Sequence, residues 1–353
     1  MSAAASLDRV LEERGTGRAL GAYVVATAFD RAGGTAAFAL GDGTVRLAAR
    51  GVADWPSVAA HDGGVLALSP DAADGFVTGG DDGRLARVAT DGATATLAEY
   101  GMKWVEQVAS FADGKTRLLA CAVGKNVYLL EADGTLLRSL PHPSTVTGIA
   151  FDARGKRIGA SHYGGASLWF VASKSDTPRL LDWKGSHTGI AISPDGDAIV
   201  TAMQENALHG WRLSDTQHMR MSGYPSKSSA IGFTRSGRWL ASSGAESVVL
   251  WPFFGGGPMG KAPSELAGGE GVLCTSLACH PQREVVAAGF SDGVVVMADI
   301  ATGRILPVAG RGRGPVSAMA WSGDGDRLAF GTETGFAAVV DFAEQRAGSA
   351  RSL

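Results

Sequence analysis

Three cysteines and seven histidines are the residues of this chain best suited to hold a metal or attack a substrate. The one cluster resembling a ligand set is Cys274-x4-Cys279-His280. On an alternating strand, residues five apart face opposite sides, so the two thiols are not expected to close on one ion. No second Cys or His pair stands at ligand spacing, and the sequence predicts two small core residues and a turn histidine before Pro281. His61, His142 and His187 each precede an apolar run. A catalytic histidine needs a nucleophile or carboxylate within hydrogen-bond reach, and recurrence at one repeated position assigns these three to the framework instead. Acidic pairs such as Asp81-Asp82 fall in tight turns, and Gly255-Gly256-Gly257 lacks the following Lys-Ser or Lys-Thr of a phosphate-cradling loop. The sequence therefore predicts no catalytic residue, no cofactor site, no metal site and no enzyme.

What must position any other function is a repeat. A short phrase recurs about every forty residues, eight times from Ala37 to Val340: an apolar strand, a turn, a second strand, a tight turn, a third strand and a more variable fourth. These strands are labelled a to d. The b–c turns fall at Asp42, Asp82, Gly124, Tyr163, Glu205, Ala245, Asp292 and Thr334, at intervals of 40, 42, 39, 42, 40, 47 and 42 residues. Such a unit cannot bury both its faces alone and must stack on its neighbours. Strands at this spacing suit four-stranded blades. Asp42-Gly43, Asp82-Gly83 and Asp292-Gly293 supply the positive φ that two-residue hairpins demand. The a–b turns carry Ser69-Pro70-Asp71, Ser193-Pro194-Asp195-Gly196 and Ser322-Gly323-Asp324-Gly325. Helical periodicity between the strands is absent, which excludes helical repeats and βαβ units. The expected fold is all-β: a single β-propeller of four-stranded antiparallel blades, eight preferred and seven the alternative. Residues 16–342 form it, residues 1–15 an N-terminal arm or short helix, and residues 343–353 a tail. Strand d of the last blade is expected from residues 16–22, closing the ring and removing an exposed sheet edge.

Composition narrows the partners. Lys and Arg number 32 against 35 Asp and Glu, a net charge of −3 with no basic block, which argues against nucleic acid. The 50 glycines, far above the usual ~7%, sit at turns. No apolar run reaches the ~18 residues of a membrane helix, and residues 1–15 lack the pattern of a secretory signal. Sparse cysteines point to a reducing, cytoplasmic setting without a membrane partner.

The chain resembles the WD40 repeat family of β-propellers over residues 23–342. That family carries a His in the d–a loop, a Ser or Thr in strand b, an Asp in the b–c turn and a Trp in strand c. The fifth repeat matches best with His187, Thr201 and Trp211, Glu205 standing for the Asp. The second keeps His61, Thr78 and Asp82 but has Val88 in place of Trp, while Trp169 and Trp251 fill the Trp position of the fourth and sixth. The resemblance implies that these residues form a structural hydrogen-bonded network. Most repeats here hold it incompletely, so apolar contact between blades is expected to dominate stability.

The resemblance also implies that the d–a and b–c loops share one face around the channel. Candidate partner-binding residues there are Lys103, Trp104, His142, Tyr163, Trp183, Tyr224, Arg311 and Arg313, with Tyr100, Lys184 and Lys227 beside them. Trp, Tyr and Arg bury large areas while keeping a polar handle. Two further segments are candidates for docking or plain packing: a helix over 6–14 capping one end of the ring, and residues 253–266, which lengthen the sixth c–d connection. The function expected is a non-enzymatic scaffold holding a protein or peptide. The alternative is a propeller enzyme with its site at the channel mouth, against which the inner strands read as apolar.

Overall fold

The computed structural model describes residues 7–175 and 177–343. Its strands form seven antiparallel sheets arranged as a β-propeller. Six sheets have four strands and the seventh, over residues 146–222, has six. Two of its strands are 14 residues long, Arg157–Phe170 and Arg179–Ile192. The first folds back at Tyr163 and Gly164: Ile158 pairs with Phe151 on one side, Ala166 pairs with Leu181 on the other, and Val171 N–H donates to Lys156 O at 2.9 Å. The second runs without a break from the outer strand of repeat four into the inner strand of repeat five, where Ile192 pairs with Ile199. The fourth and fifth repeats thus share one continuous sheet. Counted as sheets the ring has seven, the alternative number and not the preferred eight, because the backbone stays extended through 183–187. Each of the eight repeats nevertheless keeps its own inner strand, and each inner strand touches the next around the ring.

Six inner strands open with a β-bulge after their first residue, at Val24, Val65, Val146, His187, Cys274 and Val316. The extra residue in three of them carries a hydroxyl that crosses to the next repeat: Thr147 donates to His187 O, Thr275 to Val316 O at 2.7 Å and Ser317 to Val24 O at 2.6 Å. The bulge also corrects the expectation for the thiols. One added residue reverses the alternation, so Cys274 and Cys279 pack against the same apolar cluster. Both are pushed up to about 12 by burial, which keeps them protonated. Among the described residues no group of three or more His, Cys, Asp or Glu could hold a metal.

The b–c turns are built differently from the two-residue hairpins expected. Gly43 N–H donates to Leu40 O at 3.2 Å and Gly293 N–H to Phe290 O at 3.0 Å, and only the glycine has positive φ, 87° and 92° respectively. The aspartate contributes its carboxylate, which accepts the N–H two residues on: Asp42 from Thr44 and Asp82 from Arg84 at 3.0 Å, Asp292 from Val294 at 3.1 Å. These are Asx turns, and the side chain does the locking.

The ring is closed as expected. Gly15–Ala19 pairs with Phe336–Asp341 in the register Gly15↔Val340 to Ala19↔Phe336, completing the last sheet. The helix, Arg9–Arg14, is shorter than the expected 6–14. Leu11 packs with Val308, Ala309 and Val340 at the outer seam of the last two repeats. Asp8 holds it there by accepting from Gly310 N–H and Arg313 Nη1, both at 2.8 Å. In residues 253–266, Phe253 lies edge-on to Phe233 at 4.9 Å and Phe254 edge-on to Trp239 at 5.2 Å, so the aromatic pair packs beneath the sixth repeat. Phe38, Phe76, Phe330, Leu40 and Leu119 are fully buried among the sheets, at ~1.5–3 kcal/mol each.

Two glycines separate close approach from conformation alone. A Cβ on Gly43 would sit 2.2 Å from Gly63 O, whereas one on Gly51, at φ 75°, meets nothing. Gly51→Ala is expected to cost about 1–2 kcal/mol, the left-handed penalty, and Gly43→Ala clearly more. Urea unfolding of the two variants checks this; equal losses would contradict it.

Candidate functional site

In five repeats a backbone hydrogen bond ties the d–a loop to the preceding b–c turn, which places the two on one shared face. Ala60 and His61 N–H donate to Gly43 O, Tyr100 to Gly83 O, His142 to Lys125 O, Gly269 to Glu246 O and Gly312 to Asp292 O, at 2.8 to 3.1 Å. The eight candidate residues divide sharply on this face. Trp104 is 55% and Tyr163 67% exposed, and Lys103 and Arg311 are exposed as well. Arg311 forms an ion pair with Asp292 at 2.8 Å. Arg313 is engaged by Asp8, and its guanidinium lies 5.0 Å from the Phe336 ring. Trp183 is half-buried and stacks on His209 at 3.9 Å.

His142 and Tyr224 are corrected outright, because both are buried and committed internally. Trp169 Nε1–H donates to His142 Nε2 at 3.1 Å. Trp251 Nε1–H donates to Tyr224 Oη at 2.6 Å, and Tyr224 Oη bonds Ser242 Oγ at 2.5 Å. Tyr224 thus does in the sixth repeat what His142 does in the fourth, a substitution that the motif's residue types concealed. Two exposed residues were missed: Met102 at 98%, beside Lys103 and Trp104, and Tyr23 at 45%, ahead of the first inner strand. Their position in d–a loops was the available signal. Tyr100, by contrast, packs on Tyr128 at 4.5 Å.

The network residues are bonded differently in the two repeats that hold most of them. His61 Nδ1 bonds Asp82 Oδ1 and His61 Nε2 bonds Thr78 Oγ1, each at 2.9 Å. Burial opposes the Asp82 charge, but hydrogen bonds from Arg84, His61 and Asp62 prevail and hold its pKa at about 2. In the fifth repeat His187 Nδ1 bonds Thr201 Oγ1 at 2.7 Å and Glu205 accepts from Ser186 N–H at 3.0 Å. Trp211 departs from the pattern: its Nε1–H points to Asp182 O at 3.4 Å and not to the histidine. Around it, His209 Nε2 and His218 Nδ1 are 3.0 Å apart. Burial first, then neighbouring His218 and His187, depress His209 to about 3; burial and His162 depress His142 to about 4.

No family model matches this chain. It is 22% identical over 288 residues to autophagy-related protein 16 of Arabidopsis thaliana, covering 78% of this chain and 55% of that protein. The chain thus spans about half the length of that relative. Among solved structures it resembles the computationally designed Ika8 protein, at a TM-score of 0.71 and 18% identity over 92% of this chain and 98% of that one. This likeness concerns the fold.

The depressed histidines have a consequence in acid. Unfolded, they take up protons near pH 6.5; folded, His142 and His209 resist until about 4 and 3. Their contribution is complete above pH 6.5 and is lost as the pH falls toward those values. Urea midpoints are expected to fall between pH 7 and 5, above the main carboxylate range, and the double change His142→Gln, His209→Gln should flatten that slope. An unchanged slope would mean that both histidines titrate normally in the fold.

Proposed function

We propose that this protein is a non-enzymatic scaffold that grips a protein or peptide segment on the face of its d–a and b–c loops. The observation that carries this reading is the exposure of Met102, Trp104 and Tyr163 on a backbone locked by turn-to-loop hydrogen bonds. Large apolar side chains held in water are what interfaces use as anchors. A rigid ring loses little entropy on binding, so a few anchors suffice. Lys103 and exposed Lys184 and Lys227 favour an acidic segment with an apolar or aromatic side chain. The His61–Thr78–Asp82 triad and the Trp–His and Trp–Tyr bonds support placing the chain with WD40-type propellers. Three free thiols fit a reducing compartment such as the cytoplasm.

Capture from the native cell on the immobilised chain tests this, with Trp104→Ala and Tyr163→Ala beside the opposite-face control Phe254→Ala. One partner is expected to be recovered by the wild type and the control and to bind at least about tenfold more weakly to Trp104→Ala, the loss of a modest hot spot. Equal recovery by all four would remove the loop face from consideration.

A further inference from the structure

Repeats four and eight place an arginine at the same structural point. In each, the residue opening the a–b turn donates its N–H to the carbonyl of an arginine five residues on: Asp152 to Arg157 and Ser322 to Arg327, both at 2.9 Å. In repeat four the opening residue is an aspartate. Its carboxylate accepts from Arg157 Nε at 2.8 Å, and Arg157 Nη2 donates to Gly196 O of the next repeat at 2.8 Å. In repeat eight the aspartate is replaced by Ser322, whose hydroxyl accepts Arg327 N–H at 2.9 Å and donates to Asp324.

Arg327 is therefore a buried guanidinium without the carboxylate its counterpart has. It is 2% exposed, and its Nη1 reaches Gly34 O only at 3.4 Å. Among the described residues its Nε and Nη2 have no hydrogen-bond partner. The nearby carboxylates are engaged elsewhere: Asp341 by Arg50 at 2.9 Å, Asp30 by Thr35 N–H at 2.6 Å, Asp324 by Ser322 and by Asp326 N–H at 3.0 Å. Its guanidinium lies 5.0 Å from the Phe29 ring, but a buried cation without a carboxylate or hydrogen-bond acceptors on that edge still costs far more than a paired one.

Arg327 borders a cleft of about 380 Å³ where repeat eight meets repeat one, on the face formed by the a–b and c–d turns. Arg14, Arg50, Thr16, Trp55 and Asp341 share its walls, three guanidinium groups against one carboxylate. We propose that this cleft binds a phosphoryl group, free as phosphate or carried by a small ester, which draws Arg327 outward to present the unpaired Nε and Nη2 edge that is closed to solvent in the empty cleft, with Arg50 as the outer wall. A guanidinium edge offers parallel donors that match two oxygens of a phosphoryl group, and converging arginines favour a dianion over a carboxylate. The cleft is half open, which leaves room for an ester substituent to project outward. This site lies away from the loop face and stands independently of the scaffold reading.

Calorimetric titration of the full chain at constant ionic strength tests it, with inorganic phosphate in one arm and phosphoserine in the other. Saturable one-site binding is expected; tighter binding of phosphate assigns the free anion, tighter binding of phosphoserine the ester. Ser322→Asp restores the carboxylate of repeat four, so it is expected to abolish binding and raise the melting temperature. Arg50→Gln, at a half-exposed side chain, should weaken binding roughly ten- to a hundredfold, as loss of one charged hydrogen bond does, with melting little changed. Absence of saturable binding by either probe overturns the proposal. So does binding that Arg50→Gln leaves unchanged.

Discussion

The pairing of Gly15–Ala19 with Phe336–Asp341 is the constraint on which the rest of the molecule depends. Each repeat presents two apolar faces, and each face is covered by a neighbour. A linear stack would leave the first and last faces wet and the strand Phe336–Asp341 with an unpaired edge. Joining the chain's beginning to its end removes both defects at once. The helix Arg9–Arg14 anchors the closing strand further, since Leu11 and the Asp8–Arg313 pair tie it to the seam of repeats seven and eight.

Closure also fixes what is available for function. With the sheet faces buried and the inner strands bridged by Thr147, Thr275 and Ser317, the chemistry that remains lies on the two rings of turns. One ring carries exposed aromatic and basic residues. The other carries the arginine cleft at the closing seam. The buried polar networks stiffen single repeats, and they vary: His with Thr and Asp in the second, Trp with His in the fourth, Trp with Tyr and Ser in the sixth. Varied solutions at one position indicate that the geometry is set by apolar packing, with each network adapted to it.

Much of the fold was legible because turn chemistry recurs at fixed intervals. The Asp-Gly pairs located every strand boundary they touched, and the polar break after Phe342 implied that the closing strand must come from the other end. The fusion of repeats four and five was not legible, since nothing in Trp183-Lys184-Gly185-Ser186 distinguishes an extended crossing from a loop. Nor were the bulges, which cost no residue type and yet decide which way Cys274 and Cys279 face. On the candidate face Trp104 and Tyr163 are exposed, whereas His142 and Tyr224 are buried, which residue type did not show because a tyrosine hydroxyl can replace an imidazole as the acceptor of a tryptophan N–H. Arg327 escaped attention because its meaning lies in a comparison: the missing carboxylate shows only when repeat eight is laid on repeat four.

Native-state hydrogen exchange on the strand Gly15–Ala19 tests the central claim most directly. If this strand closes the ring, its paired amides exchange only through global unfolding, with the same protection as the inner strands Val24–Phe29 and Val316–Trp321. If they exchange as freely as a frayed terminus while the inner strands stay protected, the ring stands without its closing strand and the account fails.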